Sequence, residues 1–236
     1  MKKFIKENFL IILFILVVIF ILYKKVNFVE INRPYSIDEY VFFVYATTLF
    51  GNTISNFIVI AYIFIISNLL RKFFTINSLI RFNNEKLWIK NIMKNIFFKT
   101  TIIIFFINIC LILIYKINIF HLNKITLLYI LLCFISQVIG LIGIATSIFL
   151  LSIKTNKIQL SSAIIYILLI AIKYINLAFK SVYLTYYEFT FFISSYEEYL
   201  SKLNLHVVSI ISLTLITTLI LNYIYTYCER KDILLI

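Results

Sequence analysis

Glycine is almost missing from this chain: 236 residues contain only Gly51, Gly140 and Gly143. Neither a Walker phosphate loop nor a dinucleotide-binding fingerprint can be built from three glycines so placed, so ATP binding of the usual kind is excluded. Cysteine is nearly as scarce. Cys110, Cys133 and Cys228 are far apart, and the first two fall inside long apolar runs, which gives neither metal-ligand spacing nor a disulfide framework. The two histidines, His121 and His206, stand alone at the borders of apolar runs. A zinc site needs three or four neighbouring ligands, so these positions read as interfacial residues. Acidic residues number ten against 22 basic ones. The one acidic pair, Glu197 and Glu198, has the look of the glutamate pairs of intramembrane prenyl-protease-like enzymes. It lies in a loop with no paired histidines in downstream helices, and that enzyme reading is rejected. No cofactor and no catalytic residue are expected.

What the chain has in abundance is apolar surface. Apolar residues make up 63%, aromatic residues 18% and charged residues only 14%, with a mean hydropathy of +1.03. A water-soluble domain needs more polar side chains than this to cover itself. About 20 helical residues cross the roughly 30 Å hydrocarbon layer, and six runs qualify, at about 8–23, 41–70, 96–115, 125–152, 160–179 and 207–227. They are continuous rather than alternating, which favours helices over a transmembrane barrel. The expected fold is all-α, a single polytopic domain over 1–236. Lysines flank the first run and no small-residue cleavage site follows it, so it reads as an uncleaved helix. The second run is long enough to tilt or to extend beyond the membrane. Ser36 and Glu39, just after the only proline, Pro34, have capping-box spacing and mark its entry.

Lys and Arg set the orientation, because positively charged short loops stay in the cytoplasm. With the N-terminus inside, the inner segments 1–7, 71–99, 153–159 and 228–236 hold 14 basic residues. The outer segments hold seven: Lys24, Lys25, Arg33, Lys116, Lys124, Lys180 and Lys202. Both termini are therefore expected in the cytoplasm. The net charge of +12 reads as this topological signal plus attraction to anionic membrane lipid. Nucleic-acid binding would need a basic patch on a soluble module, and none is visible. High Ile, Asn and Lys usage suggests an AT-rich bacterial genome, hence the bacterial cytoplasmic membrane.

Two connections are long. From Asn84, a candidate N-cap, the stretch before the third run is amphipathic. Trp88, Ile89, Ile92, Met93, Ile96 and Phe97 share one helical face, and Lys86, Lys90, Asn91, Lys94 and Asn95 the other. This predicts a helix lying on the cytoplasmic leaflet between the second and third spans. It serves either as a connector anchored by Trp88 or as a docking element. Between the fifth and sixth spans, Tyr183 to Ile193 is aromatic and too short to cross, and Ser195 and Glu198 have capping-box spacing. A short outer interfacial or re-entrant segment is expected there, followed by a restarted helix that runs into the sixth span. An aromatic belt in a loop would leave the same pattern.

The series Leu79, Ile80, Arg81, then Lys86, Trp88 and Lys90 at the entrance of a membrane helix resembles the cytoplasmic coupling region of permease subunits in the type-2 exporter branch of the ATP-binding-cassette transporters. The family's glycine-serine turn is replaced here by Asn83 and Asn84. The motif covers about twenty residues, and the six-helix architecture covers the chain. The resemblance implies a permease without its own ATPase, docked to a separate nucleotide-binding ATPase subunit through Arg81, Lys86, Trp88, Lys90 and Lys94. It also implies a second permease copy or a related chain completing the path, and short outer helices between the last two spans.

Polar residues inside spans are costly in lipid and usually face the bundle interior. Asn52 and Asn56 in the second run, Gln137 in the fourth and Lys173, the one charge well inside a span, are the candidates for a translocation path. Helix-to-helix hydrogen bonding explains the amides equally well, and Lys173 is near enough to the outer end of its run to snorkel. The expected function is that of a non-catalytic permease for a peptide, lipid or drug-like substrate. The alternatives are a non-transport immunity or assembly protein, and the substrate-binding membrane subunit of a vitamin-uptake system.

Overall fold

The computed structural model describes residues 2–31, 36–45, 52–74, 85–179 and 196–231. They form seven α-helices and one short 3-10 turn with no strand among them: α1 (Lys2–Ile31), α2 (Ile37–Val44), α3 (Asn52–Phe73), α4 (Glu85–Ile114), the 3-10 turn Ile119–His121, α5 (Lys124–Thr155), α6 (Ile158–Phe179) and α7 (Tyr196–Lys231). Five helices are long and apolar enough to cross a membrane, with windows Phe9–Val26, Asn56–Phe73, Glu85–Ile114, Lys124–Thr155 and Ile210–Glu229. The chain is an all-helical membrane protein. α6 is described as an apolar helix over Ile158–Ile172, and five described helices meet the length criterion where the sequence predicts six spans.

α5 is the axis of the bundle. It packs against α4, α6 and α7, while α1 lies on α4 and α3 on α6 and α5. Of its apolar window 56% is buried within the chain, against 22% for α1 and 17% for α7. Lipid cannot drive helices together as water does, so close packing has to. Gly140, Gly143, Ala145 and Ser136 are all buried on α5, and these small side chains let neighbouring backbones approach. The exposed faces of α1 (Phe9, Leu13, Leu16, Phe20) and α7 (Val208, Ile211, Leu215, Leu219) are apolar, as lipid-facing surfaces are.

Three boundaries follow local chemistry. The Ser36 hydroxyl accepts from the Glu39 N–H at 3.1 Å, so the expected cap starts α2. The expected second span contains two described helices, α2 and α3, with 46–51 outside the described residues. α7 starts at Tyr196 and continues unbroken through the predicted last span. Ser195, the expected interfacial segment 183–193 and Arg81 lie outside the described residues.

The predicted leaflet-bound helix is corrected. Residues 85–95 are not a separate element but the first turns of α4, which runs to Ile114 without a break. The apolar series Trp88, Ile92, Ile96 continues as Thr100, Ile103, Ile107 and Leu111, all buried. One stripe thus serves both halves, and no glycine or proline interrupts it. Trp88, Ile89, Ile92 and Ile96 of its apolar face are covered by protein rather than by lipid, while Phe97 stays exposed.

α4 ends where the Ile117 N–H reaches back to the Ile112 carbonyl at 3.0 Å, with Lys116 left-handed at φ 51°. This is a Schellman arrangement with lysine where glycine is usual. A side chain at that φ costs about 1–2 kcal/mol. Lys116→Gly is therefore expected to raise the thermal midpoint of the detergent-solubilised protein, and Lys116→Val to lower it.

A basic end and a buried amide cluster

Where α3 ends and α4 begins, Trp88 is the organising side chain. It is 2% exposed, and its indole N–H donates to the Phe73 carbonyl at 3.2 Å, satisfying one of the orphan carbonyls at the end of α3. Phe74 and Phe149 of α5 complete a ring cluster around it. The Trp88 and Phe74 centroids are 5.5 Å apart at 70°, and those of Trp88 and Phe149 are 5.6 Å apart at 59°. Trp88 thus faces its own bundle rather than a partner.

α7 joins the same end through two charged contacts. Lys86 Nζ lies 2.6 Å from the Glu229 carboxylate, with the two side chains 65% and 49% exposed. So exposed a pair adds little stability, but it fixes where Lys86 points. Thirty residues of α4 extend about 45 Å against a hydrocarbon layer of roughly 30 Å, so the helix is longer than the layer is thick. On α5, Lys154 Nζ sits 4.6 Å from the ring centroid of Tyr223 and 5.7 Å from that of Tyr227, a cation–π clamp on α7.

Among the predicted docking residues, Lys90 and Lys94 are exposed on α4, one helical turn apart and on the side away from Trp88. Lys86, though exposed, is engaged with Glu229. The end as a whole is basic: Arg71, Lys72, Lys86, Lys90, Lys94, Lys154 and Lys157 surround Glu85 and Glu229.

The predicted path residues separate. Asn52 is the first residue of α3, and Asn56, one turn later, is exposed. Lys173 lies on α6, six residues before its last residue, Phe179. Gln137 is in the interior. Its side-chain carbonyl accepts from Asn108 Nδ2 at 3.1 Å, and Asn108 Oδ1 accepts from the Tyr45 hydroxyl at 3.0 Å. This buried row joins the residue following α2 to α4 and α5. The Gln137 Nε2 donor has no hydrogen-bond partner among the described residues. Beside the row, the Tyr62 and Thr100 hydroxyls pair at 2.7 Å. Asn108, Tyr45, Tyr62 and Thr100 were not singled out by the sequence reading. Asn108 had a readable signal, as the one amide in the apolar stretch 101–115.

The opposite end is held by Asp38 of α2. Its carboxylate accepts from the Asn123 N–H at 3.1 Å, from Asn123 Nδ2 at 2.7 Å and from the Thr126 hydroxyl at 2.6 Å. An anion here caps the start of α5 and meets the positive end of its dipole. The Tyr115 hydroxyl donates to the Leu22 carbonyl at 3.1 Å, tying α4 to α1. No group of three or more His, Cys, Asp or Glu side chains suited to a metal occurs among the described residues.

Two mutational outcomes follow from this geometry. Trp88→Ala is expected to cost about 3–5 kcal/mol, read as lost thermal stability of the isolated protein, whereas Lys90→Ala and Lys94→Ala are expected to stay within about 0.5 kcal/mol of wild type. Asn108→Leu, which removes both links of the amide row, is expected to destabilise more than Gln137→Leu. The latter deletes one interhelical bond of about 0.6 kcal/mol, and paired unfolding titrations separate the two. Comparison of the chain with protein-family models, with curated proteins and with solved structures finds no match.

Proposed function

We propose that the chain is the non-catalytic, membrane-spanning permease subunit of an ATP-binding-cassette exporter, moving a peptide, lipid or drug-like substrate with energy from a separate ATPase subunit. One observation carries the reading. The start of α4 is a basic rod, with Lys90 and Lys94 exposed on one side and Trp88 locked into α3 and α5 on the other. A partner pressing on that rod moves a helix that is continuous to Ile114, and so moves Asn108 and the amide row. In this reading α6 is the fifth of six spans and α7 the sixth, the basic end is cytoplasmic with both termini, and the membrane is the bacterial cytoplasmic membrane. Docking is then carried by Lys90 and Lys94 with Lys86 and, from the sequence, Arg81, and Trp88 contributes by stiffening the rod. Substrate would pass between two permease copies, or between this chain and a related one, by alternating access or lateral gating.

A second reading has its own support. Gln137, a predicted path residue in the interior, is engaged by Asn108 within the chain. That suits a non-transport immunity or assembly protein that binds a partner and moves nothing.

Affinity purification of the tagged chain from native membranes in mild detergent separates the two. Wild type is expected to bring down a nucleotide-binding ATPase subunit. A Lys90→Glu, Lys94→Glu variant, with its thermal midpoint unchanged, is expected to lose it through like-charge repulsion at the dock. Recovery of the wild-type chain with no ATPase would overturn the transporter reading in favour of the second.

A further inference from the structure

Between α3 and α6 runs an open groove with a cavity volume of about 300 Å³. Its α3 wall places Ile60, Phe64, Asn68 and Arg71 on one helical face, and its α6 wall is Gln159, Ser162, Ala163 and Tyr166. The floor is tight where the Ser67 and Ser162 hydroxyls bond at 2.6 Å. The lining is graded. Arg71, Asn68 and Gln159 cluster at the basic end, and Phe64, Ala163 and Ile60 follow toward the membrane interior. From Arg71 to Ile60 the groove extends roughly 16 Å along α3, close to half of the roughly 30 Å hydrocarbon layer. None of the lining residues is acidic, and Lys72 follows Arg71 at the mouth.

We propose that this groove binds one anionic phospholipid of the leaflet at the basic end, its phosphate on Arg71 and one acyl chain along Phe64, Ala163 and Tyr166. The occupant follows from the gradient and the charge. A guanidinium presents planar paired donors to phosphate oxygens, and basic pockets between membrane helices at that depth suit anionic headgroups. The apolar part has the depth of a single leaflet and walls of side chains that an alkyl chain can touch. The proposal stands independently of the transport reading.

The test is native mass spectrometry of the full chain, delipidated and offered phosphatidylglycerol or phosphatidylcholine of matched chains. Wild type is expected to retain one phosphatidylglycerol with about tenfold preference over phosphatidylcholine, the ratio a charge-assisted contact supports. Arg71→Gln is expected to lose the preference while keeping weak binding of both lipids. Ala163→Trp, which fills the groove, is expected to lose both. Lys90→Gln, basic and at the same end but outside the groove, is expected to behave as wild type. Equal retention of the two lipids by wild type overturns the proposal, as does an equal loss of preference in Lys90→Gln and Arg71→Gln, which would reveal only general attraction to the basic end. Appearance of a dimer that Ala163→Trp abolishes, with no lipid bound by wild type, would assign the groove to a second copy of the chain and also overturn it. Should Ala163→Trp fail to fold, judged by its helical circular dichroism, Arg71→Gln against Lys90→Gln decides the matter alone.

Discussion

The indole of Trp88 sits where three helices converge, and its N–H takes up the carbonyl of Phe73 that the end of α3 would otherwise leave bare. Most of the basic end depends on that contact. The ring fixes the angle at which α4 leaves α3, Phe74 and Phe149 close around it, and the lysines of α4 are thereby turned outward. A polar tip satisfied by backbone and an apolar body buried among rings is how tryptophan is used to greatest effect. The sequence pattern placed this residue on the apolar face, which is where it lies. The same pattern does not say whether that face meets lipid or protein, and here it meets protein.

Hydrocarbon presses polar side chains to pair inside the chain, and several contacts in the interior and at the far end answer that pressure. Tyr45, Asn108 and Gln137 hand hydrogen bonds across three segments, Tyr62 meets Thr100, and Ser67 meets Ser162. Each contact joins residues distant in sequence. Asp38 does the same at the opposite end, where its carboxylate gathers the first turn of α5. These bonds are individually modest, but they fix rotation. Turned about its own axis, α4 would carry Asn108 away from both Tyr45 and Gln137.

Much of the helical architecture was legible in composition and run length, because span length is set by the bilayer and not by tertiary detail. The start of α2 was legible in Ser36 and Glu39, and the long α7 in the apolar run up to Tyr227. The site was less so. Whether the cationic stretch before the third span is a separate surface helix or the foot of that span depends on what covers Ile89 and Ile92, a tertiary fact with no local signature. Lys86 could not be told from Lys90 by spacing, yet only the former meets Glu229, 143 positions later in the chain. The pairing of Asn108 with Gln137 was open to inference only as two intramembrane amides in want of partners.

The connection between α5 and α6 consists of Asn156 and Lys157 alone. Asn156 is left-handed at φ 53°, a conformation asparagine tolerates, and across the turn the Thr155 and Ser161 hydroxyls bond at 2.9 Å. So short a link leaves the two helices no freedom to reach their positions separately during synthesis. α6 is thus joined directly to the most deeply buried of the described spans. The two helices are therefore built as one antiparallel hairpin, in which α6 is held against α5 from its first turn.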